Sequence, residues 1–440
     1  MLNAQADRLN NILEKTVPAV LALLSERGKN MFWPAEGILK QAAEAKNTKL
    51  NATVGIATRD DGQALTTDSL LKEFSGNLEI FRYAPSFGIR PLRERWREEM
   101  LRKNPSLDGT KITLPIVTAA LTHGLTVATS LLADPGDSII LPDKFWGNYK
   151  LVFEHGFGVK LHPFNFLKKE SFDLESFEKT IKTTDGKKIV LLNTPNNPTG
   201  YSPTVGEAEE IFEILKRAAE KSPITVICDD AYWGLVFEDG IQKESMFARL
   251  ANLHPNLLAV KIDGATKEEF AWGLRVGFIT FGNSKMCSQA ADALEQKIGG
   301  TIRGQVSNCS HPSQIAILNA LNSSTYEQEK LKNFELLKKR AQKCREILEE
   351  NTEKFSPFFA PLPFNSGYFM CIELAEEFSA EAVRQELLKK FDTGVIATGQ
   401  LLRIAFSSVA EKNLAQIFEN IFEACKNLSA KSEPPQTSLF

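Results

Sequence analysis

Five short apolar runs, separated by longer segments, constrain the fold of this chain more than any other feature. They cover residues 138–142, 188–192, 224–228, 257–262 and 276–280. Each run is apolar almost throughout, which is typical of strands that helices bury on both faces. The segment 207–221 between two of the runs places Ile211, Phe212 and Leu215 on one face of a helix. This alternation predicts an α/β domain with a mostly parallel sheet between helices.

A second, smaller α+β domain is predicted where the α/β alternation stops. Residues 325–352 have the pattern of one long amphipathic helix. After it, the sequence predicts a strand at 367–372, a helix from about Ala380 and a strand at 402–406. The predicted parts are an N-terminal segment that joins the small domain, a large domain, the small domain itself and a tail expected to be mobile. They cover residues 1–60, 61–325, 326–428 and 429–440.

Composition argues against several classes of function. The chain has 440 residues, enough for about two or three domains. Its formal net charge of −3 offers no basic field for nucleic acid, and no apolar run approaches the length of a membrane span. Six cysteines are scattered without the spacing of a metal site. They are expected to be reduced thiols, so a cytoplasmic protein without nucleic-acid, membrane or metal partners is predicted.

Three segments carry residue types that together suit a carbonyl cofactor. Lys267 is an amine that could attach to a carbonyl, and Arg275, eight residues later, is a guanidinium that could grip a phosphate. Asp229 ends an apolar run and offers a carboxylate at the end of a predicted strand. Tyr232 and Asn197 add a hydroxyl and an amide, which can donate hydrogen bonds. Each has an ordinary alternative, because turns are rich in asparagine, strand ends in capping carboxylates and surfaces in lysine.

In this order, the segments resemble the fold-type I aminotransferases that use pyridoxal 5′-phosphate (PLP). The resemblance runs from Asn51 to Arg403. It implies that Lys267 is the Schiff-base lysine and then the acid and base that moves the substrate proton. Asp229 would face the pyridine nitrogen, and Tyr232 the phenolic oxygen. The implied reaction moves an amino group from an L-amino acid to a 2-oxo acid.

The resemblance is nearest to the aspartate and aromatic aminotransferase subgroup. It implies that Gly55, in a substrate loop within residues 50–61, offers backbone contacts beside the substrate carboxylate. Trp146 would stack on the pyridine ring, and the start of a helix at Leu121 and Thr122 would bind the phosphate. The implied cofactor-binding positions are Tyr83, Leu121, Thr122, Trp146, Asn197, Asp229, Tyr232, Thr266, Lys267 and Arg275.

Two arginines are expected to hold substrate carboxylates, because a planar guanidinium binds a carboxylate through two hydrogen bonds. Arg403 matches the small-domain arginine that receives the α-carboxylate. Arg303, in the Gly-rich segment 299–308, resembles the residue that reaches across the dimer to a side-chain carboxylate; the alternative is a surface arginine in a loop. Tyr83 matches the tyrosine that contacts the partner's phosphate, and Asn197 is implied to contact substrate. The resemblance therefore implies a homodimer with shared active sites.

Three positions depart from the subgroup pattern. Gly264 stands where a phosphate-binding serine is common, so one phosphate hydrogen bond is expected to be missing. Tyr149 replaces the histidine that follows the stacking tryptophan, and Leu121 replaces a small residue. These changes leave the amino donor and acceptor open, with aspartate or an aromatic amino acid and 2-oxoglutarate as the first expectation.

Three other functions were weighed against this interpretation. A C–S β-lyase needs the same lysine, aspartate and phosphate grip, so the sequence separates it poorly from an aminotransferase. A nucleotide-dependent oxidoreductase would suit the α/β pattern, but residues 155–161 lack the third glycine of a dinucleotide loop. A non-catalytic regulator of this fold would carry a DNA-binding domain, for which the first 50 residues are too few and insufficiently basic.

Overall fold

The computed structural model describes residues 38–53, 55, 57–62, 65, 67–71 and 82–432, together with residues 4, 7, 10, 11, 14 and 15. This part of the chain forms two compact units. The first contains the described residues below 34, those of 66–197 and those of 202–332. The second contains those of 34–65, 198–201 and 333–432. In sequence, the predicted boundary near residue 325 lies close to the division after residue 332.

The first unit is built on a mixed sheet, which has seven strands among the described residues. They are β1 Ile116–Ala119, β2 Ser138–Pro142, β3 Lys160–Phe164, β4 Lys188–Asn193, β5 Ile224–Asp229, β6 Leu257–Gly264 and β7 Val276–Gly282. Their order across the sheet is β1-β7-β6-β5-β4-β2-β3. Strand β7 runs antiparallel to both neighbours, and the other adjacent pairs are parallel. The predicted, mostly parallel sheet is confirmed, and all five predicted strands are present.

Strands β1 and β3 were missed by the sequence interpretation, for different reasons. Strand β1 is a four-residue element that runs directly into a helix, so it shows no strand periodicity of its own. Strand β3 has the sequence Lys-Leu-His-Pro-Phe and lies at the edge of the sheet. A proline is tolerated at an edge because one side of the strand has no ladder partner.

Helices surround the sheet, and their ends follow local sequence signals. In the first unit they are α1 Arg90–Lys103, α2 Ala120–Leu132, α3 Leu174–Thr183, α4 Val205–Lys221, α5 Met246–Leu250, α6 Ser288–Val306, α7 His311–Leu321 and the short Asp68–Leu71. Helix α8 Tyr326–Glu350 begins in the first unit, and its residues from Asn333 onward belong to the second. Helix α4 confirms the predicted helix 207–221. It begins at a capping box, in which Thr204 Oγ1 accepts the N–H of Glu207 and the Glu207 carboxylate accepts the N–H of Thr204.

Both faces of the sheet are buried. In β7, Ile279 belongs to one apolar cluster and Phe278 to another. Strand β1 divides in the same way, with Ile116 in the first cluster and Val117 in the second. Because successive side chains of a strand point to opposite faces, each face has its own core. This explains why the sequence of these strands is apolar throughout.

The second unit contains a four-stranded antiparallel sheet among its described residues. Its strands are β8 Phe359–Pro361, β9 Met370–Leu374, β10 Ile396–Thr398 and β11 Leu401–Ile404, in the order β8-β9-β11-β10. Its helices are α9 Ala380–Phe391, α10 Leu414–Ser432 and the short Ile38–Glu44 and Thr352–Phe355. Helix α9 confirms the helix predicted from about Ala380, and β9 and β11 overlap the two predicted strands.

The N-terminal segment also takes part in this second unit. Leu50–Asn51 pairs in parallel with Thr393–Gly394. At the other end, α10 continues to Ser432, so the first residues of the expected tail are helical. Residues 433–440 lie outside the described residues.

The remaining regular elements are short. They are the paired strands Leu167–Lys168 and Ser171–Phe172, the 3-10 helices Pro105–Leu107, Trp272–Leu274, Phe406–Ser408 and Glu411–Asn413, and the π-helix Lys150–His155. None of the helices in the described part of the chain combines the length and apolar character that crossing a membrane requires.

Candidate active site

Asp229 and Tyr149 meet in the interior of the first unit. Asp229 is the last residue of β5, and its side chain is buried. Tyr149 donates a hydrogen bond from its hydroxyl to Asp229 Oδ2 at 2.5 Å. The other oxygen, Oδ1, accepts the N–H of Ala231 at 3.2 Å. With both oxygens engaged, the carboxylate is held in one orientation.

The protonation states of this pair follow from their burial. Burial raises the pKa of Asp229, whereas the hydrogen bond from Tyr149 and the positive charge of Lys267 oppose that rise. Burial and the adjacent Asp229 together raise the pKa of Tyr149 well above its usual value. Tyr149 is therefore a neutral hydrogen-bond donor at ordinary pH.

Asn193 connects two predicted site residues, and the sequence interpretation gave it no function. It is the last residue of β4 and lies opposite Asp229 in the parallel pair of β4 and β5. Its Nδ2 donates to the carbonyl oxygen of Asp229 at 2.9 Å, and its Oδ1 accepts the N–H of Asn197 at 2.8 Å. A polar residue that ends an apolar strand beside another such residue is the signal that could have identified it.

Lys267, Thr266 and Arg275 lie on one loop, which joins the antiparallel strands β6 and β7. Gly264 and Gly277 are paired at the base of this loop. A Cβ atom at Gly264 would lie 2.6 Å from the carbonyl oxygen of Val276 and 2.7 Å from the Cα of Gly277. A serine at position 264 would therefore force the two strands apart. Close packing of the hairpin accounts for the glycine where the subgroup commonly has serine.

The amine of Lys267 lies close to another predicted site residue, Tyr232. Lys267 Nζ is 5.2 Å from the centroid of the Tyr232 ring, and Lys267 is half-buried. Burial lowers the pKa of Lys267 to about 8; the negative charge of Asp229 opposes this decrease, and Arg275 adds to it. A lowered pKa increases the fraction of free amine, which is the form that acts as nucleophile or base.

The pKa of Lys267 can be measured on the full-length chain without any ligand. We expect its reaction with trinitrobenzenesulfonate, followed by peptide mapping, to show a midpoint near pH 8. At pH 8 about half of such a group is uncharged, against less than about 1% of an ordinary lysine. The variant Asp229→Asn should move the midpoint lower, because it removes the charge that favours the ammonium form. A midpoint above pH 10 in the wild-type chain would contradict the described environment.

Helix α2 begins beside the same loop. Its first residue, Ala120, has a left-handed backbone with φ of 63°, and a Cβ at Gly277 would lie only 2.6 Å from the Ala120 carbonyl carbon. Glycine at position 277 therefore lets the start of α2 approach the hairpin. Leu121 is buried, and Thr122 is half-buried. The first N–H groups of a helix attract anions, so this end of α2 suits a phosphate.

The remaining predicted residues of the first unit differ in exposure. Trp146 packs edge-to-face on Tyr149, with 5.6 Å between the ring centroids. Arg275 is exposed and has a left-handed backbone, with φ of 53°. The side chain of Tyr83 is 92% exposed. Arg303 is also exposed, and it lies on helix α6, so the Gly-rich loop that was considered as the alternative setting for this arginine is not present.

One glycine of that segment has a packing reason to be in a helix. A Cβ at Gly299 would lie 2.4 Å from the ring of Phe87. The small residue therefore makes room for a neighbouring aromatic side chain, and does not mark a turn.

The second unit carries the two other predicted substrate residues, Arg403 and Gly55. Arg403 lies on β11 and is buried; its Nη2 donates to the carbonyl oxygen of Thr53 at 3.2 Å. Its guanidinium carbon is 4.2 Å from the centroid of the Phe369 ring. Gly55 is half-buried, and a Cβ there would lie 3.7 Å from the same ring. Both residues thus neighbour Phe369.

Comparison with known proteins identifies relatives of this chain. The chain is 30% identical over 203 residues to the probable aspartate/prephenate aminotransferase of Aquifex aeolicus, and the aligned segment covers 45% of this chain and 48% of that protein. It is 26% identical over 281 residues to the corresponding Thermus aquaticus protein, covering 62% and 64%. The matched segments thus span about half to two thirds of the length of these relatives.

A solved structure and a family model match more of the chain. The crystal structure of an aminotransferase from Anaerococcus prevotii has a TM-score of 0.77 and 25% identity, covering 91% of this chain and 98% of that one. The family model for aminotransferase class I and II matches residues 48–421. This chain therefore belongs to the class I and II aminotransferases, a family whose members depend on PLP.

Proposed function

We propose that this chain is an active PLP-dependent aminotransferase. It moves an amino group from an L-amino acid, either aspartate or an aromatic one, to a 2-oxo acid such as 2-oxoglutarate. The observation that carries the proposal is that the amine of Lys267 lies 5.2 Å from the Tyr232 ring and interacts electrostatically with the buried, oriented carboxylate of Asp229. Family membership supports the same class of reaction.

The residues of the first unit fit a phosphorylated cofactor. Thr266 Oγ1 is buried and has no hydrogen-bond partner within the described part of the chain. Buried hydroxyl groups normally have a partner, so this oxygen suits contact with a phosphate. We propose that Thr266, Arg275 and the start of α2, with Leu121 and Thr122, hold the phosphate. Trp146 would cover the ring.

Asp229, Tyr149 and Lys267 would each have a different function in the reaction. PLP, when bound, supplies an electron sink for the α-carbon of the substrate. Asp229 would keep the ring nitrogen protonated, because a nearby carboxylate favours the charged form of that nitrogen. Tyr149 would keep this carboxylate oriented through its hydrogen bond. Lys267 would carry the proton to and from the α-carbon, since a pKa of about 8 allows exchange near neutral pH.

Two further residues would complete the grip on the ring. Tyr232 and Asn197 would donate hydrogen bonds to the phenolic oxygen. Asn193 supports this arrangement, because it joins the backbone of Asp229 to that of Asn197. We propose Tyr232 as the third catalytic residue, with Lys267 and Asp229, and Asn197 as a contact for substrate as well as cofactor.

Substrate carboxylates would be bound by Arg403 and Arg303, with Gly55 contributing backbone contacts. We expect Arg403→Leu to reduce kcat/KM about 30-fold or more for every donor, because every amino acid presents an α-carboxylate. Arg303→Leu should cause a similar loss only with aspartate and 2-oxoglutarate, and spare aromatic donors. Steady-state kinetics with aspartate and with phenylalanine separates the two effects.

Equal losses for all donors in Arg303→Leu would contradict a function for this arginine in side-chain recognition. Half-buried Arg249, which pairs with Glu209, offers a control, since Arg249→Leu removes an ion pair that involves no proposed site residue. That variant should leave the kinetics unchanged.

We also propose that the protein is a homodimer with shared active sites. Tyr83 is 92% exposed and Val306 is 42% exposed. Ser86 Oγ donates to the carbonyl oxygen of Ser307 at 2.7 Å, so the Tyr83 segment lies beside the end of α6. Neighbouring exposed apolar side chains suit a protein contact.

A cytoplasmic location is the final part of the proposed assignment. None of the six cysteines, all of which the structure describes, is in a disulfide, and five of them are buried. Cysteines outside disulfides are common where a reducing compartment keeps thiols reduced.

A half-reaction screen tests the proposed function. Each amino acid is added in turn to the PLP-loaded protein while loss of the yellow colour is followed, and the 2-oxo acid product is identified. Formation of oxaloacetate from aspartate, or of the corresponding product from an aromatic donor, is expected. A protein that stays yellow with every amino acid would not be an aminotransferase, and pyruvate from cystathionine would indicate the C–S β-lyase instead.

A further inference from the structure

The two residues that follow Lys267 in the chain, Glu268 and Glu269, belong to an ionic cluster. Its other members are Lys103 at the end of α1 and Lys330 on α8. Lys103 Nζ lies 2.6 Å from Glu268 Oε1 and 3.4 Å from Glu269 Oε1. Lys330 Nζ lies 3.1 and 2.8 Å from the same two oxygens. These two lysines and two glutamates, which we call the loop clamp, pair with one another, and Glu99, Arg102 and Glu327 are charged neighbours of the set.

The two glutamates of the loop clamp are buried, whereas Lys103 and Lys330 are half-buried. The Glu269 side chain is only 1% exposed, and its Oε2 accepts a hydrogen bond from the Tyr326 hydroxyl at 2.8 Å. Burial acts to raise the pKa of Glu269, but Lys330 and Lys103 outweigh it and hold the pKa below its usual value. Glu269 is thus ionised at neutral pH. Buried ion pairs of this kind often add little net stability, because desolvation offsets the attraction. Stability alone is a weak reason for four charges here.

The position of the clamp suggests what it holds. It grips the middle of a loop whose two ends are fixed by the paired strands β6 and β7. Phe270, the next residue after the clamp, has a left-handed backbone with φ of 55°. Non-glycine residues adopt this conformation only where their surroundings impose it. The clamp supplies such surroundings, since it ties the loop to two helices.

The clamp also reaches the segment that carries Tyr232. A Cβ at Gly234 would lie 2.4 Å from Glu268 Cδ, so the glutamate packs directly on this backbone. The ammonium group of Lys103 lies 5.2 Å from the centroid of the Trp233 ring. Glu268 and Lys103 therefore join the loop of Lys267 to the two residues that follow Tyr232.

We propose that the loop clamp fixes the amine of Lys267 relative to Tyr232 and Asp229, so that Glu268 and Glu269 are positioning residues for the reaction. The claim that these residues affect the reaction rests on the proposed function. The claim that they fix the position of the Lys267 amine does not, because that position can be tested in the chain without cofactor or substrate. If the clamp is lost, the loop relaxes and Lys267 gains contact with water.

The test compares clamp variants with a matched buried ion pair elsewhere in the first unit. Arg93 on α1 and Glu295 on α6 form that pair, with 2.7 Å between Nη2 and Oε2 and with 9% and 18% side-chain exposure. The clamp variants are Glu268→Gln, Glu269→Gln and the double variant E269M/K330M. The double variant removes one charge of each sign and replaces both side chains with apolar ones. Because no unpaired charge is left buried, it is expected to fold even if a single variant does not. The control is Glu295→Gln.

The first readout is the pH midpoint of Lys267 labelling by trinitrobenzenesulfonate in the cofactor-free, full-length chain. We expect the clamp variants to raise this midpoint by about one unit or more toward that of an ordinary lysine, because burial is what lowers it. Glu295→Gln should lower the melting temperature to a similar extent and leave the midpoint unchanged. An unchanged midpoint in all three clamp variants would overturn the proposal.

The second readout is the kinetics of the PLP-loaded protein. A displaced amine should reduce kcat about tenfold or more and change KM less, since geometry at the reacting atoms is altered while substrate contacts remain. If the midpoint moves but no protein transaminates, the proposed function fails and the positioning stands. If the wild type transaminates and the clamp variants match it in both readouts, the positioning is wrong.

Discussion

Replacement of Lys267 by alanine is expected to reduce transamination by about four orders of magnitude or more, because one side chain acts both as nucleophile and as proton carrier. PLP should still bind through the contacts proposed for its phosphate and ring. The turnover rate and the spectrum of the bound cofactor, measured on the same preparation, check both statements.

A labelling experiment assigns the lysine independently of activity. Borohydride reduction of the PLP-loaded wild-type protein, followed by peptide mapping, should place the pyridoxyl group on Lys267. The exposed Lys182, which pairs with Glu178 on α3, provides the control: Lys182→Ala should retain both label and turnover. A label on another lysine would show that the assignment is incorrect.

Replacement of Asp229 by alanine should slow the half-reaction about a thousandfold or more while PLP stays bound. Loss of the carboxylate is expected to lower the pKa of the ring nitrogen by about three units. At a pH above the pKa in both proteins, this lowers the protonated fraction of the nitrogen about a thousandfold. Asp229→Asn should behave similarly, since it keeps the volume and removes the charge. Rapid mixing of the PLP-loaded variant with a saturating amino donor measures the rate.

Tyr149→Phe is the control that separates charge from orientation. It leaves the Asp229 carboxylate in place and removes the hydrogen bond to Oδ2, so we expect a much smaller loss than in Asp229→Ala. Near-normal turnover in Asp229→Ala would mean that another group protonates the ring.

Much of the fold could be predicted from local sequence. Strands buried on both faces are apolar throughout, so runs such as 224–228 and 257–262 marked β5 and β6 correctly. The apolar face of residues 207–221 predicted helix α4, which begins two residues earlier, at Val205. The strands β1 and β3 were missed because the first merges with a helix and the second is an edge strand with a proline.

Part of the candidate site could also be predicted from the sequence, and part could not. The order of the segments around Asn197, Asp229 and Lys267 was sufficient to predict the family, which the family model confirms. The functions given to the individual residues remain predictions. The loop that was considered as an alternative setting for Arg303 is a helix, because a glycine such as Gly299 is compatible with a helix when it makes room for a neighbour such as Phe87.

The sequence by itself determined the family, the order of the elements and the chemical types of the site residues, since these depend on residue identity and short-range spacing. Only the tertiary structure decided that Tyr149 hydrogen-bonds to Asp229, 80 positions away. It also decided that burial lowers the pKa of Lys267 and that Glu268 and Glu269 meet Lys103 and Lys330. Contacts between distant residues and the exclusion of water exist only once the chain is packed, and local sequence does not encode them.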